Sequence, residues 1–265
     1  EVGDLNTGRQ NLAGGGTSTA ALAFGGETVT NTESWDGTSW TEVAELATAR
    51  YDLNTGGGGA SNLSALAFGG NAPGGKQTAT EEWSFPSTPN VQEGQLWVKT
   101  ATGASSVLKG YAAQGTGAFA AGGNLNTARY SAGGSGTQTA ALMAGGNGNS
   151  ADSEEYNGTS WTEGNNLVAG TNWFSMTGTQ TATIGAGGFG PGITVNAQAY
   201  DGTSWTEVNN LNLARYGMGA FGISTSAIVA GGSNPGTSPE RRAEAESWDG
   251  TSWTEVSDLN EVKHS

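Results

Sequence analysis

ALAFGGETVTNTESWDGTSWTEV, residues 21–43, holds a complete pattern that the chain then repeats. An apolar run closes on a glycine pair, an acid and an aromatic follow, and a tight turn leads to a tryptophan. The glycine pair returns at Gly69-Gly70, Gly145-Gly146, Gly187-Gly188 and Gly231-Gly232, and 44 residues separate Gly25 from Gly69 and Gly187 from Gly231. A steady period of this length, built from strand-sized runs, marks a repeat architecture in which each unit buries its apolar face only against its neighbours.

Within a unit four segments recur. The first follows an Arg-bearing turn, as in Arg129-Tyr130-Ser131-Ala132-Gly133-Gly134. The second is the apolar run: ALAFGG at 21–26 and 65–70, ALMAGG at 141–146, AIVAGG at 227–232. These runs are too short and too glycine-bounded for helices. The third and fourth flank a turn, in SWDGTSWTEV at 34–43 and 247–256, EYNGTSWTEG at 155–164 and AYDGTSWTEV at 199–208. Asp-Gly and Asn-Gly accept the positive φ of a tight antiparallel connection, so this pair is a hairpin. Five units of four antiparallel strands describe an all-β, five-bladed β-propeller, with blades at about 9–46, 50–128, 129–167, 171–211 and 215–259 forming one domain. Trp40, Trp161, Trp205 and Trp253, with Trp35, Tyr156, Tyr200 and Trp248, are expected to pack between blades rather than stack on a ligand.

Composition agrees with a small-residue core. Glycine supplies 46 of 265 residues and proline 6, while hydrophobic residues make up 35% and charged residues 13%. The net charge of −14 argues against a phosphate-backbone partner and against anionic lipid surfaces. No apolar run is long enough to span a membrane. The absence of cysteine excludes disulfides, thiolate metal sites and cysteine nucleophiles. Glu1-Val2-Gly3-Asp4-Leu5 aligns with Glu42–Leu46 and Glu255–Leu259, so the chain starts inside a repeat and reads as an excerpt or a processed product.

The glycine pair, the Glu-x-aromatic that follows it (Glu33/Trp35, Glu81/Trp83, Glu154/Tyr156, Glu246/Trp248), the downstream tryptophan and the Arg before the next unit together resemble Kelch repeats across nearly the whole chain. The aromatic-to-Trp gap is shorter than the usual Kelch spacing, Gln198 replaces the acid in the fourth unit, and Thr171 stands where Arg is expected. The second unit carries an insertion at about 86–117 in place of its hairpin turn. Inside it, Glu93–Val98 and Val107–Tyr111 read as a β-hairpin. The GQLW start and later LKGY resemble small β-modules of phage tail-fibre and virion-surface proteins. With the low charge and the Thr/Ser/Asn-rich surface, the resemblance extends to the Kelch-like proteins of tailed bacteriophages. It implies a virion or extracellular location and other virion proteins as partners, with Leu96, Trp97, Leu108 and Tyr111 of the insertion as the docking element.

Strand order places two sets of connections on one propeller face: those from second to third strands and those that carry the chain into the next unit. The first set varies most (27–32, 71–80, 147–153 and 233–245), and variable loops on a rigid scaffold are where binding resides. Arg9, Arg50, Arg129 and Arg215 lie in the inter-unit turns of that face. They are candidates for a carboxylate or acidic sugar, with Arg241 and Arg242 of the last loop, or for pairing with Glu33, Glu81, Glu154 and Glu246.

Enzymatic readings lack parts. The sole histidine, His264, is a poor general base next to the C-terminus, and no phosphate-cradling or calcium-loop spacing occurs. Repeated acids such as Asp36, Asp201 and Asp249 point to structure, although a propeller glycoside hydrolase with unique channel carboxylates stays open. The expectation is therefore a non-enzymatic protein without metal or cofactor that binds a host-surface glycan on the loop-rich face, or a purely structural virion component.

Overall fold

A computed structural model describes residues 3–27, 29–55, 62–84, 96–99, 107–110, 117–236 and 240–260. They form five four-stranded antiparallel blades and no helix. The first blade runs Ala13–Thr17, Ala20–Phe24, Thr32–Trp35 and Trp40–Glu42 from axis to rim. The third spans Gly133–Thr137 to Trp161–Glu163, the fourth Ser175–Thr179 to Trp205–Val208, and the fifth Gly219–Ile223 to Trp253–Val256.

The second blade is assembled around its insertion. Asn54–Thr55, Ser64–Phe68 and Thr80–Ser84 pair in sequence, and Ala118–Ala121, arriving after the insertion, supplies the rim strand. Leu96–Lys99 and Val107–Gly110 form a separate antiparallel pair, as the sequence predicts. The insertion leaves and re-enters at Ser84 and Ala118, the end of the blade opposite the inter-unit turns. Leu96, Trp97 and Leu108 sit on that pair, and Tyr111 lies outside the described residues.

The hairpin turns owe their shape to one side chain. Asp36 Oδ1 accepts from the Thr38 and Ser39 amides, each at 2.8 Å, and Gly37 takes φ +95°. Asn157, Asp201 and Asp249 do the same in their blades. Each turn brings an aromatic opposite a tryptophan: the rings of Trp35/Trp40, Tyr156/Trp161, Tyr200/Trp205 and Trp248/Trp253 lie 5.0–5.3 Å apart. In the second blade Phe119 takes the tryptophan's place against Trp83, at 5.2 Å.

The core is four inter-blade clusters. In each, apolar residues of one blade's second strand receive the aromatics of the next: Leu22 and Phe24 meet Trp83, Leu66 and Phe68 meet Tyr156 and Trp161, Leu142 and Ala144 meet Tyr200 and Trp205, and Ile184 and Ala186 meet Trp248 and Trp253. Leu46, Leu125, Leu167 and Leu211 wedge into the same four junctions, each at most 4% exposed.

Two backbone ladders run along these junctions. The second glycine of a pair donates to the carbonyl that ends the next inter-unit turn: Gly26 to Arg50, Gly70 to Arg129, Gly146 to Thr171 and Gly188 to Arg215, at 2.8–3.0 Å. Nearer the axis, Asp52 donates to Asn11, Ser131 to Asp52, Trp173 to Ser131 and Gly217 to Trp173. The glycine pair is therefore a docking device. Gly145 has φ +75°, and a β-carbon there would come 2.5 Å from the Thr171 carbonyl oxygen. Gly145→Ala is expected to lower stability by at least ~1–2 kcal/mol from the left-handed backbone alone. Gly74→Ala, with nothing within 4 Å of the added carbon, is expected to leave the thermal melt unchanged.

Candidate functional site

The two residues after each inter-unit Arg, or after Thr171 in the fourth blade, carry the chain onto the axis. At the second of them all five blades adopt the left-handed conformation: Asn11 at φ 57°, Asp52 at 51°, Ser131 at 54°, Trp173 at 53° and Gly217 at 62°. Glycine accepts this freely and Asn or Asp with little strain, but a tryptophan there is an outlier, and such strain gathers at ligand clamps. The axial ladder holds the ring in place, since the amides of Asp52, Ser131, Trp173 and Gly217 are each tied to the preceding blade's carbonyl.

This ring rims a cavity of about 330 Å³ at the channel mouth, floored by Phe174, Met176 and Met218 and flanked by Phe221. Two of its oxygens, Asp52 Oδ1 and the hydroxyl of buried Ser131, are enclosed without a hydrogen-bond partner. Burial pushes the Asp52 carboxyl from 3.8 up to about 6. An aromatic shelf continues from the rim. Trp173 lies 6.2 Å from Tyr216, which lies 6.3 Å from the partly exposed Phe189. Ser233, at the start of the last variable loop, exchanges backbone bonds with Tyr216 and bridges to exposed Arg241. The aromatic shelf, Ser233 and Arg241 therefore share one edge of the mouth.

The inter-unit arginines are placed otherwise. Arg9, Arg50, Arg129 and Arg215 turn inward and pair with Glu33, Glu81, Glu154 and Glu246, their side chains at most 3% exposed. Their other donors go to backbone carbonyls: Arg50 Nη1 reaches Gly69 and Ala79, and Arg215 Nη1 reaches Gly231 and Glu244. Burial pushes the Glu33 carboxyl up, but the Asn6 amide, the Arg9 guanidinium and the Thr7 amide outweigh it and hold the group below its usual range. Of the two pairings open to these arginines in the sequence, the geometry displays the one with glutamate, and a guanidinium ring facing solvent is not formed. Arg242 is also paired, with Glu244 at 3.2 Å.

Sequence reasoning overlooked the rim residues themselves. Their signal was present: in a chain of near-identical units, the second position after the Arg, or after Thr171 in the fourth unit, reads Asn, Asp, Ser, Trp and Gly. Variation at one fixed geometric position is what a binding ring needs, and repetition is what scaffolding needs. Asp52 is the one acid lining the mouth cavity among the described residues. Among those residues no group of three or more His, Asp or Glu side chains could hold a metal ion, and no helix is long and apolar enough to cross a membrane. No protein-family model matches this chain, and no curated protein matches it significantly.

Proposed function

We propose that this chain is a non-enzymatic, virion-associated binding propeller that takes a host-surface glycan at the channel mouth. The observation that carries the binding half is the mouth cavity, where two unpartnered buried oxygens lie beside Trp173, Phe174 and Phe221. A sugar offers hydroxyls that suit such acceptors and C–H faces that suit aromatic rings, and pockets of this size with few convergent polar groups are the usual form of a small-ligand site. The virion half rests on the resemblance of the repeats to Kelch-like phage proteins and of the insertion to small β-modules of phage tail-fibre and virion-surface proteins. The non-enzymatic reading is supported by the carboxylates: glycoside hydrolysis uses a pair about 5–9.5 Å apart, and among the described residues Asp52 is the one acid in the cavity lining.

Screening the purified chain against bacterial surface polysaccharides is expected to give a binder, and Trp173→Ala should weaken it at least tenfold. Asp52→Asn separates binding from scaffolding. Because the folded pKa is raised, Asp52 contributes stability at pH below 3.8 that is lost as the pH climbs towards about 6. Allowing for solvent screening of a half-buried group, the loss is ~1 kcal/mol. Asp52→Asn should therefore weaken glycan binding at pH 8 while making the protein more stable there. A variant that lost stability instead would make Asp52 a structural group. Silence across the polysaccharides, with attachment to virions intact, would favour the purely structural reading.

A further inference from the structure

The two backbone ladders and the apolar inter-blade clusters are each present four times and stop between the fifth blade and the first. Among the described residues no bond runs from Gly232 to the Arg9 carbonyl, or from the Asn11 amide to the Gly217 carbonyl, although each would continue a ladder. The innermost strands of these two blades do not pack as the other neighbours do. Ile228 occupies the place of Leu22, Leu66, Leu142 and Ile184, which are at most 2% exposed, yet it is 44% exposed. Opposite it in register stands Phe221, 64% exposed, where the third and fourth blades place buried Ser135 and Thr177. On the other side of the seam, Trp40 is half-exposed where Trp161, Trp205 and Trp253 are buried. Leu5 and Leu259 are both partly exposed, whereas their four counterparts wedge between blades.

We propose that this seam is a docking slot for one additional four-stranded blade of the same repeat type. The chemistry required of the occupant is displayed at the other four junctions. Its leading face must present an aromatic pair to Ile228 and Phe221 and an inter-unit turn whose carbonyl accepts from Gly232. Its trailing face must present an aliphatic second strand, closed by a glycine pair, to Trp35 and Trp40. One blade supplies both faces at once and completes both ladders in a single layer. A second whole copy would instead engage head to tail, a contact that generates open filaments or larger rings.

Hydrogen exchange, sedimentation and thermal melting test this on two proteins: the present chain, and a variant carrying a second copy of residues 212–259 after Leu259. In the present chain the Gly232 amide is expected to exchange far faster than those of Gly26, Gly70, Gly146 and Gly188, and the protein to sediment as a monomer. In the extended variant Gly232 should gain at least tenfold protection. Its Tm should rise by at least ~5 °C, since a repeat array gains stability with each interface closed. Ile228→Lys in the extended variant should abolish that rise. Protection of Gly232 in the present chain would mean that the ring closes on itself and would overturn the proposal. Concentration-dependent assembly, making a second copy the occupant, would also overturn it, as would an added unit that exchanges freely and leaves Tm unchanged.

Discussion

Glu81→Gln is expected to lower the melting temperature by about 6–20 °C, and adding Arg50→Thr to recover at least half of that loss. Glu81 accepts from Arg50 Nη2 at 2.6 Å and from the Ala47 amide at 2.7 Å, with both side chains almost fully enclosed. Burial pushes the Arg50 guanidinium down, and Glu81 is what opposes it. Removing one member of such a pair costs ~3–5 kcal/mol because the other charge is stranded, and ~2–4 °C accompanies each kcal/mol in a chain of this size. The fourth blade shows what happens when both charges go. There Gln198 accepts from Val168 at 2.8 Å and donates to the Ala169 carbonyl at 3.1 Å, while Thr171 stands in the arginine's position. The guanidinium's place is a hole of about 70 Å³ lined by Thr171, Gly187, Asn196 and Gln198. At ~24 cal/mol per Å³ such a hole costs about 2 kcal/mol, less than a stranded charge. A double variant no more stable than Glu81→Gln would show that the pair's charges are not what couples them.

The same fourth blade marks how far the sequence could be read. Its two departures, Thr171 and Gln198, were visible as a broken Arg/Glu pattern, and they prove to line the same hole. Strands, turns and aromatic pairs were legible for a related reason. The Asp-Gly turn closes within four residues and the glycine pair repeats, so local chemistry fixes each without knowledge of the ring. The mouth was not legible. Ser131 and Trp173 have no intrinsic preference for positive φ; the axial ladder from neighbouring blades imposes it. The open seam was hidden for the same reason. AIVAGG at 227–232 is written like its four counterparts, and whether Ile228 is covered depends on the curvature summed over five blades. Phe221 was the one local clue, a large apolar residue where other blades carry Gly15, Ser135 and Thr177.

Trp83→Ala is expected to cost ~3–5 kcal/mol, the range for deleting a fully buried large aromatic, and to change how the protein unfolds. Trp83 is completely enclosed, donates from Nε1 to the Asn62 carbonyl at 2.9 Å and meets the edge of Phe119. Phe119 in turn sits 5.4 Å from Phe24 of the first blade, so the three rings are one unit across the first junction. Blades of a repeat array are held chiefly by such nearest-neighbour contacts. Among the described residues the first blade has no equivalent contact on its seam side, where Trp40, packed on Trp35, donates from Nε1 to the Gly3 carbonyl at 3.2 Å. Weakening the first junction should therefore release residues 13–42 ahead of the rest, and denaturation should lose its single transition. Hydrogen exchange would then show early opening confined to the first blade, while Ala141, Ile184 and Val229 in the later blades stay protected. Trp40→Ala, by contrast, removes a half-exposed ring at an already open edge and is expected to leave the main transition in place. If Trp83→Ala unfolded all five blades together, the array would be cooperative over the whole ring, and the seam could not be the weak boundary that its exposed residues describe.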